Sequence, residues 1–235
     1  MSVIGRPRPH SGFTLIEVLI TLTILVFGLL GLAGLIIKGN RAAFEVYQRQ
    51  QALAIAGQMA ERIKANQVKK QTTPTTTPDI NKTLADRYVV LAPLAAPIGD
   101  PAVSGPWENL QLGSLANCAA TTCTRDQLAQ YDVAIWEGLL LGVTETATVG
   151  ARRLGGLINA RGCIEGPLGA PAAGEPLTYR VSVAWQGDSP TSVQTASACG
   201  DGLGLYQTQN PADPAPVHAA TRRLVTLDIT LFEPL

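Results

Sequence analysis

The sequence predicts an α+β protein, with one long N-terminal helix packed on a C-terminal antiparallel sheet. Three observations predict it. An apolar run near the N-terminus is long enough to cross a bilayer. A proline-free, helix-forming stretch continues that run. Strict alternation of apolar and polar residues then marks strands in the last third of the chain.

The first 12 residues are a short basic leader containing Arg6 and Arg8. Residues 13–37 follow as an almost unbroken apolar run whose only charge is Glu17. At about 1.5 Å per helical residue the run covers roughly 37 Å, against a hydrocarbon core of about 30 Å. Lys38 and Arg41 on its far side balance the leader arginines, so flanking charge does not orient the segment. Residues 38–66 contain no proline and are rich in helix formers. Ala52, Ile55, Ala56, Met59 and Ile63 recur at steps of three and four, with Arg49, Gln50, Gln58, Glu61 and Arg62 opposite. One helix over residues 13–66 would be roughly 80 Å long. Gly28, Gly31 and Gly34 in its apolar half suit close helix packing in a membrane.

Residues 67–117 read as a polar linker and irregular region. The centre of the linker is Thr72-Thr73-Pro74-Thr75-Thr76-Thr77-Pro78, and a short strand is expected at Tyr88-Val89-Val90-Leu91. Residues 118–235 should form a head of one helix and an antiparallel sheet. Thr124-Arg125-Asp126-Gln127 has the form of a capping box, and Leu128, Tyr131, Ile135 and Leu139 follow at helical steps up to Gly142. The candidate strands are residues 157–164, the alternation around Tyr179, Val181, Val183 and Trp185, and that of Val225, Leu227, Ile229 and Leu231. The first two should be joined as a long hairpin across residues 166–176.

All four cysteines lie beyond the apolar run. An even number of cysteines in an oxidising compartment reads as disulfides. The expected pairs are Cys118 with Cys123, which are close in sequence, and Cys163 with Cys199, which would tie the sheet to a long loop. No metal site is expected, because Cys118-x4-Cys123 lacks a second matching pair. The head then faces the oxidising side of the membrane.

With 18 basic and 18 acidic residues, the charge balance gives no reason to expect a nucleic acid as partner. His218 is the only histidine beyond the leader. No nucleophile elbow, zinc-binding His pair or phosphate loop is present, so neither a catalytic residue nor a cofactor is assigned.

The eight residues Gly12-Phe13-Thr14-Leu15-Ile16-Glu17-Val18-Leu19 resemble the cleavage site of type IV prepilins. The resemblance implies that a prepilin peptidase cuts after Gly12 on the cytoplasmic side and methylates the new N-terminus at Phe13. The apolar run is then retained as an anchor. Glycine suits the cut because it lets the backbone approach a protease cleft closely. Glu17 is the unusual residue, since a carboxylate at bilayer depth costs on the order of 3 kcal/mol by insertion scales. The bland alternative is that it snorkels to the nearby interface. The family instead implies a role in assembly, pairing with the N-terminal amine of a neighbouring subunit.

In overall plan the chain is similar to the PilV type of minor pilin, also called a type IV pilus modification protein. That resemblance implies a type IV pilin-like fold and single-pass inner-membrane anchoring, with the head in the periplasm before the chain enters the pilus. The implied role is to help prime pilus assembly at or near the filament tip. Its implied partners are the peptidase, other minor pilins, the major pilin, the inner-membrane assembly platform and a tip adhesin. A minor pseudopilin of type II secretion is the alternative of the same class. A tip adhesin and a membrane-anchored periplasmic enzyme are the alternatives from other classes.

Overall fold

The computed structural model describes residues 12, 14–67, 80–100, 105–143, 156–169, 175–192, 194–207 and 220–231. The chain divides into two compact units, Met1–Phe44 and Glu45–Leu235.

In the first unit the described residues are the start of helix α1, which spans Leu15–Ala65. Every described side chain here is exposed. The hydroxyls in the apolar run are satisfied within the helix. Thr21 Oγ1 donates to the Val18 carbonyl at 2.9 Å, and Thr23 Oγ1 to the Leu19 carbonyl at 2.8 Å. Such internal bonds suit a helix whose surroundings offer no water. α1 is long and apolar enough to cross a membrane.

The second unit is an α+β domain. The C-terminal part of α1 turns Gln48, Ala52, Ile55, Ala56, Met59, Ala60 and Ile63 inward. Three of these are alanines, so the helix axis can approach its neighbours closely. The sheet contains β1 (Arg161–Glu165), β2 (Leu177–Gln186) and β3 (Arg222–Leu231), in that order and antiparallel throughout. Its inner face presents Ile164, Tyr179, Val181, Val183, Val225 and Ile229 to a core shared with α1. Helix α4 (Arg125–Leu141) adds Val133, Trp136 and Leu140 to the same core. Trp136 Nε1 donates to the Ile55 carbonyl at 3.1 Å, which pins α4 to α1. Gly162 makes room for that indole, because a Cβ there would lie 2.8 Å from the ring. The outer face of the sheet carries a second, smaller cluster of Cys163, Ala184, Cys199 and Tyr206.

The ends of α4 follow from its sequence. Thr124 and Gln127 form the reciprocal capping box, and Gly142 closes the helix in the left-handed conformation at φ 63°. Between α1 and α4 the structure corrects two expectations. Helix α2 (Ile80–Leu91) and helix α3 (Pro106–Gln111) occupy part of the segment expected to be irregular. Tyr88-Val89-Val90-Leu91 is therefore helical and not a strand. Ala85, Tyr88 and Ala92 are buried at steps of three and four, and that core-facing stripe outweighs the β-propensity of the paired valines. β1 begins at Arg161, so residues 157–160 of the expected strand lie outside it. The Thr-Pro linker, residues 68–79, is outside the described residues.

Arg62 also departs from its expected place on the polar face of α1. Its guanidinium donates to Asp132 Oδ1 at 2.7 Å, and the Tyr88 hydroxyl donates to Asp132 Oδ2 at 2.8 Å. Asn66 Nδ2 donates in turn to the Tyr88 hydroxyl at 2.9 Å. This network joins α1, α2 and α4. Burial pushes the Tyr88 phenol well above its usual range, and the adjacent Asp132 adds to the rise. Tyr88 is thus a neutral donor.

On the outer face of the sheet, Arg180 donates to Asp228 across β2 and β3 at 2.7 and 2.9 Å. Those bonds hold the Asp228 carboxyl below its ordinary value of 3.8. A lowered folded-state value means the stabilisation is complete above the unfolded value and is lost as pH falls through the folded one. With half of Asp228 exposed, the pair contributes under about 1 kcal/mol. Asp228→Asn should therefore be slightly less stable than wild type at neutral pH. In urea titrations the two proteins should converge once the pH has fallen through the lowered folded-state value of Asp228. A difference that persists there would assign the effect to something other than this carboxylate.

Candidate processing and assembly site

The sequence places the processing site around Gly12, Phe13 and Glu17. Gly12 and Glu17 are exposed, and Phe13 is outside the described residues. Among the described residues, a Cβ built on Gly12 meets nothing within 4 Å, so their packing does not require glycine at that position.

Glu17 sits in the first turn of α1. Its backbone N–H donates to the Thr14 carbonyl at 3.1 Å and reaches Thr14 Oγ1 at 3.4 Å. Val18 N–H also donates to the Thr14 carbonyl, at 3.3 Å. Thr14 thus caps the helix, and Thr14-x-x-Glu17 has the spacing of a capping box. The sequence reading assigned Glu17 and overlooked Thr14. The Thr-x-x-Glu pattern just before an apolar run was the signal available. A carboxylate in this first turn also faces the positive end of the helix dipole. It is exposed and close to the position where cleavage after Gly12 would free an amine.

The cysteines lie in the second unit. Cys118 and Cys123 are bridged at 2.04 Å, immediately before the capped start of α4. Cys163 and Cys199 are bridged at 1.98 Å, and both are fully buried. The second bridge fixes a loop across the outer face of the sheet, and several side chains help to hold it there. Arg222, only 1% exposed, donates to the Ser197 and Cys199 carbonyls at 3.0 Å each and also to the Gln194 carbonyl. Arg180 donates to the Ala196 carbonyl at 2.7 Å. Ser197 Oγ donates to Glu165, and the Tyr206 hydroxyl donates to the Asn159 carbonyl at 2.8 Å. Burial raises the Tyr206 phenol far above its usual range, so it too stays neutral. Sequence reasoning missed Arg222, and an arginine in an alternating strand gives no sign that it will be buried.

Among the described residues, no three His, Cys, Asp or Glu side chains are arranged to hold a metal ion. His218 is outside the described residues.

Residues 7–33 match the family model described as the prokaryotic N-terminal methylation motif. No curated protein and no solved structure matches the chain. The motif, the apolar helix that begins within it and the α+β head support a pilin- or pseudopilin-type structural subunit, and the motif implies processing by a prepilin peptidase.

Proposed function

We propose that this chain is a minor pilin of the PilV type. It is anchored in the inner membrane by a single pass, holds its head in the periplasm, and then enters a type IV pilus at or near the tip. The observation that carries this reading is the placement of Gly12 and Phe13 directly before an apolar helix, with Glu17 in its first turn. An ordinary anchor needs the apolar run alone. It has no use for a glycine–phenylalanine junction, or for a carboxylate one turn into the lipid-facing helix. Two disulfides in the head suit a periplasmic subunit that must survive outside the cell.

The proposed chemistry is charge pairing in a medium of low dielectric. Cleavage after Gly12 frees an amine on Phe13, and Glu17 supplies the opposite charge. Each is expensive to hold alone in hydrocarbon, whereas together they partly offset one another. Pairing within one chain is the alternative, since the freed amine would be only four positions ahead of Glu17 in the chain. Pairing with the amine of a neighbouring subunit would make Glu17 an assembly residue. The proposed partners are therefore other minor pilins, the major pilin and the inner-membrane assembly platform.

Glu17→Val tests the proposal. The variant should insert in the membrane and lose its leader normally, yet recover partner minor pilins on co-purification about tenfold less well. Wild-type recovery together with a normal number of pili would refute the assembly role. Co-purification with secretion-apparatus subunits in place of pilus subunits would transfer the chain to the pseudopilins.

A further inference from the structure

β3 forms one edge of the sheet, and its construction is unusual for an exposed edge. All ten of its residues pair with β2 in unbroken register, so no bulge bends it away. It contains neither proline nor lysine. Among the described residues, no backbone hydrogen bond from outside the sheet reaches it. Soluble proteins blunt such an edge with bulges, prolines or lysines, because alternate N–H and C=O groups along it would otherwise recruit another chain. None of those devices is used here.

A groove of about 290 Å³ lies beside the strand. It is lined by Leu224, Val225 and Thr226 of β3, Arg49 and Leu53 of α1, and Gln194 and Ala196 of the crossing loop. The loop wall is fixed, because Arg222 and Arg180 hold the Gln194 and Ala196 carbonyls. The opposite wall is helix. Leu53 is 49% exposed and offers an apolar contact. Arg49 is exposed and makes no ion pair among the described residues, whereas Arg62, Arg87, Arg161, Arg180 and Arg223 are each paired with a carboxylate.

We infer that this groove docks an extended, carboxylate-bearing segment of a different subunit, which adds to β3 as a fourth strand. The inference rests on reading the chain as a pilin-type subunit. The free edge supplies main-chain pairing and therefore requires an extended partner. Leu53 receives an apolar side chain of that segment, and Arg49 selects for an acidic one by its positive charge. A second copy of this chain fits poorly. Two-fold pairing of β3 with its own copy would bring an Arg49 from each chain to one seam, with like charges facing.

The test places the photo-crosslinking amino acid benzoylphenylalanine at position 53 of the full-length chain in cells, and maps the adducts by mass spectrometry. The expected adduct lies in a β-forming segment of another pilin-type chain, within two residues of an Asp or Glu. Its yield should fall about tenfold with Arg49→Glu and hold with Arg49→Lys. Formation of the Cys163–Cys199 bridge in the same samples verifies that each variant has folded. The inference is overturned by a folded, processed chain that gives no adduct, by a yield indifferent to Arg49→Glu, or by adducts to a helix, to lipid or to a second copy. Leader removal is followed in parallel. A leader retained in the parent chain would overturn the subunit reading and this inference with it, whereas normal processing without the adduct overturns the inference alone.

Discussion

Gly12→Phe is expected to leave the leader attached to most of the chain. The argument separates recognition from folding. Among the described residues nothing lies within 4 Å of a Cβ at Gly12, so a larger residue is not expected to disturb the head. Any loss must therefore arise where the peptidase holds the junction. A side chain that costs about 3 kcal/mol in a cleft shaped for glycine slows cleavage on the order of a hundredfold. Gly12→Ala should show a smaller loss, because it adds a single methyl group. Intact mass of membrane-extracted protein gives the result directly, since chains processed as proposed would lack residues 1–12 and carry a methyl group on Phe13. Wild-type processing of Gly12→Phe, or a cut on the far side of the apolar run, would end the prepilin reading.

The parts of this fold that were legible in the sequence are those fixed by local periodicity or local chemistry. The inward stripe of α1 shows in Ala52, Ile55, Ala56, Met59 and Ile63, because burial on one side of a helix imposes steps of three and four. α4 shows at both ends, in the Thr124 cap and the left-handed Gly142. Strands β2 and β3 show in their alternation, which a sheet with two unlike faces enforces. α2 did not show. Its buried described residues are only Ala85 and Tyr88, which mark a core stripe weakly, and Val89-Val90 pulls a local reading toward a strand.

The site divides along the same line. Gly12, Phe13 and Glu17 form a contiguous pattern and can be read without a fold. The charged residues that hold the head together cannot. Glu137 would be taken for a solvated helix residue, yet it is 2% exposed and accepts from Gly99 N at 3.1 Å and Trp107 N at 2.8 Å. Arg222 has an equally ordinary sequence setting and is almost wholly enclosed. In both cases the partners are backbone groups of distant segments, and backbone groups leave no trace in the sequence. The bare edge of β3 is another such feature, because the order of strands in a sheet is not written in any one of them.

Removing the buried disulfide should be the most damaging change available in the head. The double variant Cys163→Ala with Cys199→Ala opens a loop whose ends are 36 positions apart, and the chain-entropy model assigns that closure almost 4 kcal/mol. The double variant at Cys118 and Cys123 opens a separation of only 5, for which the same model gives about 2 kcal/mol. Burial widens the gap. Cys163 and Cys199 are fully enclosed beside Ala184 and Tyr206, so truncating them also leaves a cavity in the outer cluster. Cys118 and Cys123 are each partly exposed, and their surroundings can relax. A domain of this size is stable by about 5–15 kcal/mol, so the first loss is a large fraction of the whole and the second is tolerable. Pulse proteolysis of the full chain in detergent should rank the proteins as wild type, then the Cys118/Cys123 variant, then the Cys163/Cys199 variant. Arg222→Met should weaken the same loop, since methionine fills much of the volume yet leaves the Gln194, Ser197 and Cys199 carbonyls without that donor. Its effect should shrink in the Cys163/Cys199 background, where the loop is already released. Strict additivity of the two changes would show that the bridge and the arginine act on separate structures, and the picture of one loop held by both would have to be given up.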